Sequence, residues 1–171
     1  MWLVPDRSAS VYARLRRLIV ELAQRFGTPP FDPHVTLLGG LDAPLGSVRR
    51  DLARLAPSLR PCEIRLGEVV SRGEYFQRLV AVVESTPDVT AAHERAKAVF
   101  AGHRPAYRPH LSLAYGSLTE AQTAVLCDLA NASGVMGTRF TPAGLELWRT
   151  DGPVEAWVCV AALRLGPAND R

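Results

Sequence analysis

Two short stretches of this chain follow the same plan. Phe31-Asp32-Pro33-His34-Val35-Thr36-Leu37-Leu38-Gly39-Gly40 and Tyr107-Arg108-Pro109-His110-Leu111-Ser112-Leu113-Ala114-Tyr115-Gly116 both read aromatic, any residue, Pro, His, apolar, hydroxyl, Leu, with a glycine a few residues on. The chain has four histidines, and two of them occupy this frame, 76 residues apart. Side chains alternate across a strand, so residues i and i+2 share a face. His34 and Thr36 therefore project together, as do His110 and Ser112. Val35, Leu37, Leu111 and Leu113 point the other way, into a packed side. A solvated polar face explains one such stretch, but it does not explain the duplication.

The rest of the chain repeats around these elements. Trp2 to Val4 reads as a short apolar strand. Val11, Leu15, Leu18, Ile19, Leu22 and Phe26 form one helical face, with Asp6 or Ser8 as cap and Gly27, Pro29 and Pro30 as the stop. The His34 strand follows, then a helix carrying Val48, Leu52 and Leu55. Strands over Cys62–Val70 and Phe76–Glu84 are joined by a turn at Ser71–Glu74. A helix opening at Thr86-Pro87, the His110 strand and a helix capped by Ser117 with Glu120 come next. Strands over Arg139–Trp148 and Ala156–Leu165 close the chain. Each half reads helix, His-strand, helix, strand, strand, and Leu79-Val80 falls in register with Trp157-Val158. A repeat on this scale is an architectural statement. It predicts an α+β fold of two similar lobes related by a pseudo-twofold, with His34 and His110 facing each other across one cleft.

Composition narrows the class. With 47% hydrophobic and 22% charged residues, 171 residues make one ordinary globular domain spanning 1–171. No stretch approaches a membrane span, and MWLVPDRSAS lacks the regions of a signal peptide. Cys62, Cys127 and Cys159 are odd in number and unpaired in spacing, which suits reduced core thiols and a cytoplasmic location. The net charge of +3 favours an anionic ligand and is too small for a duplex-binding protein. Lys97 is the single lysine. Arginine suits bidentate phosphate contacts, although GC-rich coding would leave the same bias.

Two imidazoles and two hydroxyls suit phosphoester chemistry. An ordinary histidine titrates near ~6.5, so a neutral imidazole to accept a proton and a protonated one to give it are both available near neutrality. The hydroxyls of Thr36 and Ser112 can donate to phosphate oxygens. A catalytic zinc usually takes three protein ligands, and no ligand spacing accompanies these histidines, so neither metal nor cofactor is expected. His93 borders a helical stripe and reads as structural. His103, in a Gly-His-Arg-Pro loop, reads as a solvated loop residue within reach of a substrate.

The paired His-x-Thr/Ser elements resemble those of the 2H phosphoesterase superfamily, most closely its cyclic phosphodiesterase-like family of plants and yeast. Trp2-Leu3-Val4-Pro5 resembles that family's Trp-x-x-Pro opening. Tyr75-Phe76-Gln77 resembles its aromatic-Gln element, and Pro109 to Gly116 its Pro-His-Leu-Ser-Leu-x-Tyr-Gly. The resemblance implies a bilobal fold of antiparallel sheets with helices packed outside, and a metal-independent cyclic phosphodiesterase acting on ADP-ribose 1″,2″-cyclic phosphate or nucleoside 2′,3′-cyclic phosphates. It implies His34 and His110 as the general base and acid, in an order it leaves open, Thr36, Ser112 and Tyr115 at the phosphate, and Tyr75 and Phe76 near the nucleoside. The expected partner is a small cyclic-phosphate nucleotide met by a monomer without a membrane. Two other readings stay open: an enzyme of RNA 3′ ends (a cyclic phosphodiesterase or a 2′–5′ ligase), and a binding module without catalysis.

Overall fold

The computed structural model describes residues 1–100 and 106–167; His103 lies outside them. In chain order the elements are β1 (Trp2–Pro5), α1 (Ser10–Phe26), β2 (Val35–Thr36), α2 (Leu45–Leu55), β3 (Ile64–Val70), β4 (Leu79–Val83), α3 (Pro87–Val99), β5 (His110–Ala114), α4 (Glu120–Ala132), β6 (Arg139–Phe140), β7 (Pro142–Arg149) and β8 (Val158–Arg164). The fold is α+β. The strands form one antiparallel sheet in the order β6-β3-β4-β5-β2-β1-β7-β8.

The two His-strands are neighbours at the centre of that sheet. Val35 pairs with Leu111, its own counterpart in the repeat, so a pseudo-dyad passes between them. Registers on either side match. Trp2 faces Thr36 and Leu3 faces Val35, while Val80 faces Ser112 and Ala81 faces Leu111. Further out, Trp2 faces Glu146 and Leu3 faces Leu145, while Val80 faces Val70 and Ala81 faces Val69.

The counterpart of β4 is therefore β1, and the matching of Leu79-Val80 with Trp157-Val158 is replaced. The repeating unit is strand, helix, His-strand, helix, strand: β1-α1-β2-α2-β3, then β4-α3-β5-α4-β7. The last strands are exchanged, since β3 pairs with β4 and β7 with β1. Sequence alone shows two hairpins of similar spacing. Which strand completes which half is a long-range pairing that no local pattern records.

One face of the sheet is packed against the helices. Val35, Leu37, Leu111 and Leu113 form a single core with Leu15, Leu18, Ile19 and Leu22 of α1, Leu52 and Leu55 of α2, Val89 and Ala96 of α3, and Leu126 of α4. Burying each such aliphatic side chain stabilises the fold by about 1.5–3 kcal/mol, and that holds the opposite, His-bearing face in a fixed curvature.

Local differences from the sequence reading have local causes. Ala9 caps α1 without a side-chain bond, because Asp6 instead accepts from the Ser8 backbone N–H at 2.8 Å and its hydroxyl at 2.6 Å, closing a turn ahead of the helix. Gly27, at φ 64°, ends α1 as expected. The capping box of α4 is Thr119 with Gln122, not Ser117 with Glu120. Ser117 is held in the preceding loop, where the Gly116 N–H donates to Tyr75 O (2.9 Å) and Arg78 Nε donates to Gly116 O (3.0 Å). Gly116 adopts φ +123°, and an added Cβ would lie 2.9 Å from the Thr28 methyl, so the position demands glycine. Tyr75–Gln77 folds into a 3₁₀ turn and delays β4 to Leu79. Of the three cysteines Cys62 is buried, Cys127 is half-buried, and Cys159 lies exposed on edge strand β8 rather than in the core. Among the described residues no helix is long and apolar enough to cross a membrane.

Candidate active site

The Pro-His frame sets each ring through its own backbone. A residue before proline is driven to extended geometry. In both stretches the carbonyl of that residue meets the histidine two positions on: His34 Nδ1 lies 2.7 Å from Asp32 O, and His110 Nδ1 lies 2.8 Å from Arg108 O. A carbonyl oxygen only accepts, so each Nδ1 carries the hydrogen. Nε2, the remaining nitrogen, is then a bare acceptor in each neutral ring.

The antiparallel register of Val35 with Leu111 sets His34 alongside Ser112 and Thr36 alongside His110. All four line one cavity of about 270 Å³, together with Trp2, Phe76, Tyr115 and Trp157. The fold thus brings His34, His110, Thr36, Ser112, Tyr115 and Phe76 to one cavity. Tyr75 does not line this cavity. Its ring is exposed, and its carbonyl serves the Gly116 turn.

The two imidazoles have unlike surroundings. His34 is buried, stacked on Trp2 at 3.6 Å between ring centres and 11° between planes. Trp2 stacks in turn on Trp148 at 4.6 Å. Burial lowers the His34 pKa to about 4 against the pull of the Asp32 carbonyl, with the Met1 amino group and His110 pushing the same way. His110 is half-buried. Burial lowers its pKa too, opposed by the Arg108 carbonyl and assisted by the charges of Arg72 and Arg108, with Glu74 pulling it back up. Arg72 places a guanidinium nitrogen 3.2 Å from His110 Nδ1, but that nitrogen's two hydrogens go to Gln77 Oε1 at 2.9 Å and Arg108 O at 3.4 Å. Two donors facing each other disfavour a second positive charge on the ring.

The hydroxyls differ as well. Ser112 Oγ donates to Phe76 O at 3.2 Å and also contacts the Tyr115 hydroxyl, while burial raises the Tyr115 pKa. The Tyr115 ring is stacked on Phe31 at 3.7 Å. Thr36 stands at the junction of this cavity with its two larger neighbours.

Behind His34 sits a charged clamp. Arg7 donates to Asp32 Oδ2 at 2.7 Å and to both Glu146 oxygens at 3.2 Å. Arg16 Nε holds the other Asp32 oxygen at 3.1 Å, and Glu146 accepts from the Trp148 indole at 2.7 Å. One arginine therefore fixes both supports of His34: the segment whose carbonyl orients the ring, and the tryptophan stack that covers it.

Sequence reasoning missed Trp157, Trp148, Arg72, Arg7 and the stacking role of Trp2. Trp2 alone left a signal, since a tryptophan in the opening strand suits a site wall as well as a core. The others reach the site from elements whose neighbours are set by the sheet order. His93 is structural as expected: buried, bonded through Nδ1 to Leu37 O at 2.8 Å and stacked on Tyr107. Among the described residues no group of three or more His, Cys, Asp or Glu is placed to hold a metal ion.

Known proteins resemble this chain along its whole length. A family model described as cyclic phosphodiesterase-like protein matches residues 1–165. The cyclic phosphodiesterase of Arabidopsis thaliana is 28% identical over 173 residues, which cover 98% of this chain and 94% of that relative.

Proposed function

The chain belongs to the cyclic phosphodiesterase-like family, and from that premise we propose that it opens a nucleotide 2′,3′-cyclic phosphate, or a 1″,2″-cyclic phosphate of ADP-ribose, by histidine acid–base hydrolysis without a metal. One observation carries the mechanism: two imidazoles with Nδ1 tied to backbone carbonyls share a cavity with two hydroxyls. One histidine takes a proton from water through Nε2. The water oxygen attacks phosphorus and one of the two ring P–O bonds breaks. The other histidine, protonated at Nε2, gives that proton to the departing sugar oxygen, leaving a phosphate monoester. The two histidines exchange roles by this transfer and are reset through solvent.

Thr36 and Ser112 donate to the non-bridging oxygens, where charge builds in the transition state. Ser112 gives up its bond to the Phe76 carbonyl to do so. Tyr115, against Ser112, bounds the phosphate position, and Phe76 with Trp157 walls the nucleoside side. Tyr75 contributes through its backbone. His34, deeper and harder to protonate, suits the base; His110 suits the acid. An aryl phosphodiester, whose leaving group needs no acid, separates the two, since His110→Ala should keep more activity on it than His34→Ala. The reverse order would exchange the roles.

The overall reading is tested on a panel: ADP-ribose 1″,2″-cyclic phosphate, the four nucleoside 2′,3′-cyclic phosphates and an RNA with a cyclic end. Monoester product from the small substrates is expected. Turnover of the RNA alone would move the protein to end processing, and binding without turnover of any would make it a non-catalytic module.

A further inference from the structure

A second cavity of about 630 Å³ adjoins the histidine cavity and shares Thr36, Gly39, Gln77 and His110 with it. Its size is that of a ligand site in its own right. One wall is rigid. The Tyr107 ring lies flat on His93, 3.8 Å between centres and 1° between planes, and His93 is anchored to the Leu37 carbonyl. Another wall is cationic, with Arg72 and Arg108 lining it together.

Elsewhere in the fold arginines meet carboxylates: Arg7 and Arg16 meet Asp32, Arg65 meets Glu84, and Arg139 meets Glu63. Among the described residues neither Arg72 nor Arg108 makes an ion pair. Burial and the neighbouring charge of Arg108 lower the Arg72 pKa while Glu74 pulls it part of the way back, so the Arg72 guanidinium is repelled by the charge of Arg108. Glu74, the acidic residue on this wall, is bonded to Gln77 Nε2 at 3.2 Å and leaves a net positive charge. Two like charges converging beside an open cavity are relieved by an anion between them. The other cavity that shares Thr36, about 440 Å³, is lined by Trp2 and Trp148 with one arginine, Arg149, and one carboxylate, Asp151, so its lining charges sum to zero where those of the Arg72–Arg108 cavity do not.

Resting on the proposed reading of the histidine pair, we propose that the Arg72–Arg108 cavity is an anion subsite that receives a second phosphate of the substrate. The preferred substrate class is then a cyclic phosphate whose nucleoside also carries a phosphate, rather than a bare nucleoside cyclic phosphate. Arginine is suited to this, because its planar fork meets a phosphate with two hydrogen bonds.

The test compares adenosine 2′,3′-cyclic phosphate with its 5′-phosphorylated form. In the wild-type protein kcat/KM should favour the phosphorylated substrate roughly 10- to 100-fold, the range of one charged hydrogen-bonded contact, and added salt should shrink the preference. Arg108→Ala should bring the ratio close to one, and Arg108→Lys should restore part of it. A binding arm works without turnover: adenosine 3′,5′-bisphosphate should bind more tightly than adenosine 3′-monophosphate, by a margin that Arg108→Ala removes. Equal wild-type handling of both pairs would overturn the subsite. A fall of both substrates by one factor in Arg108→Ala would do the same, since the Arg108 side chain would then act on the histidine site as a whole and not on a second phosphate. If neither substrate is turned over, the hydrolytic reading fails, and the binding arm still decides the subsite.

Discussion

His34 is kept neutral inside the fold, and that has a thermodynamic signature. Its pKa falls from 6.5 to about 4 through burial. As pH drops below 6.5 the unfolded chain binds a proton at this position and the folded chain does not. The unfolded state then holds more protons, and stability falls with pH until the folded pKa is passed. At 1.36 kcal/mol per unit, the shift is worth about 3 kcal/mol in full, and roughly 2 kcal/mol by pH 5. The perturbation is His34→Gln, which keeps an N–H for the Asp32 carbonyl but does not titrate. Urea unfolding followed by circular dichroism at pH 7 and pH 5 gives four stabilities. The wild type should lose about 2 kcal/mol more than His34→Gln, a midpoint difference of about 1 M at a urea slope near 2 kcal/mol per M. The Met1 amino group, also buried and lowered to about 5, titrates in both proteins and cancels in the difference. Equal pH dependence in the two would refute the claim that desolvation holds this ring neutral.

Four further outcomes can be checked by steady-state kinetics. His34→Ala and His110→Ala should each lower kcat by about 10²–10⁴-fold with the fold intact, and near-full turnover in both would make the paired motifs structural. Thr36→Ala and Ser112→Ala should lose roughly 10–10³-fold; no loss in either would remove the hydroxyls from the phosphate. The kcat/KM profile should be a bell on the acid side of neutrality, because both imidazole pKa values are lowered in the free protein, and an alkaline optimum would contradict it. Arg7→Ala should cut kcat roughly tenfold with little change in KM, since misplacing His34 affects the chemical step. Arg7→Lys should recover part of that, and an effect on stability alone would reduce the clamp to a surface ion pair.

The site's cast was legible because its rules are local. Pro before His, a hydroxyl two residues after and leucine on the alternate positions all fall within one strand, and strand geometry alone puts His34 with Thr36 and His110 with Ser112. The 76-residue offset did the rest, since a dyad makes Val35 pair with its counterpart Leu111. The α1 stripe and its Gly27 stop were likewise written in short-range chemistry.

Tertiary structure decided what depends on distant neighbours. It exchanged β3 and β7 between the two repeats, because antiparallel partners are chosen by packing across the sheet. It brought Trp2 onto His34, with Trp148 and Glu146 behind, from opposite ends of the chain. It also set the protonation of the pair. Sequence offers two imidazoles at their ordinary pKa near neutrality. The fold removes water from both, and an ion costs far more in that surrounding than a neutral ring, so the unliganded protein holds His34 without its proton.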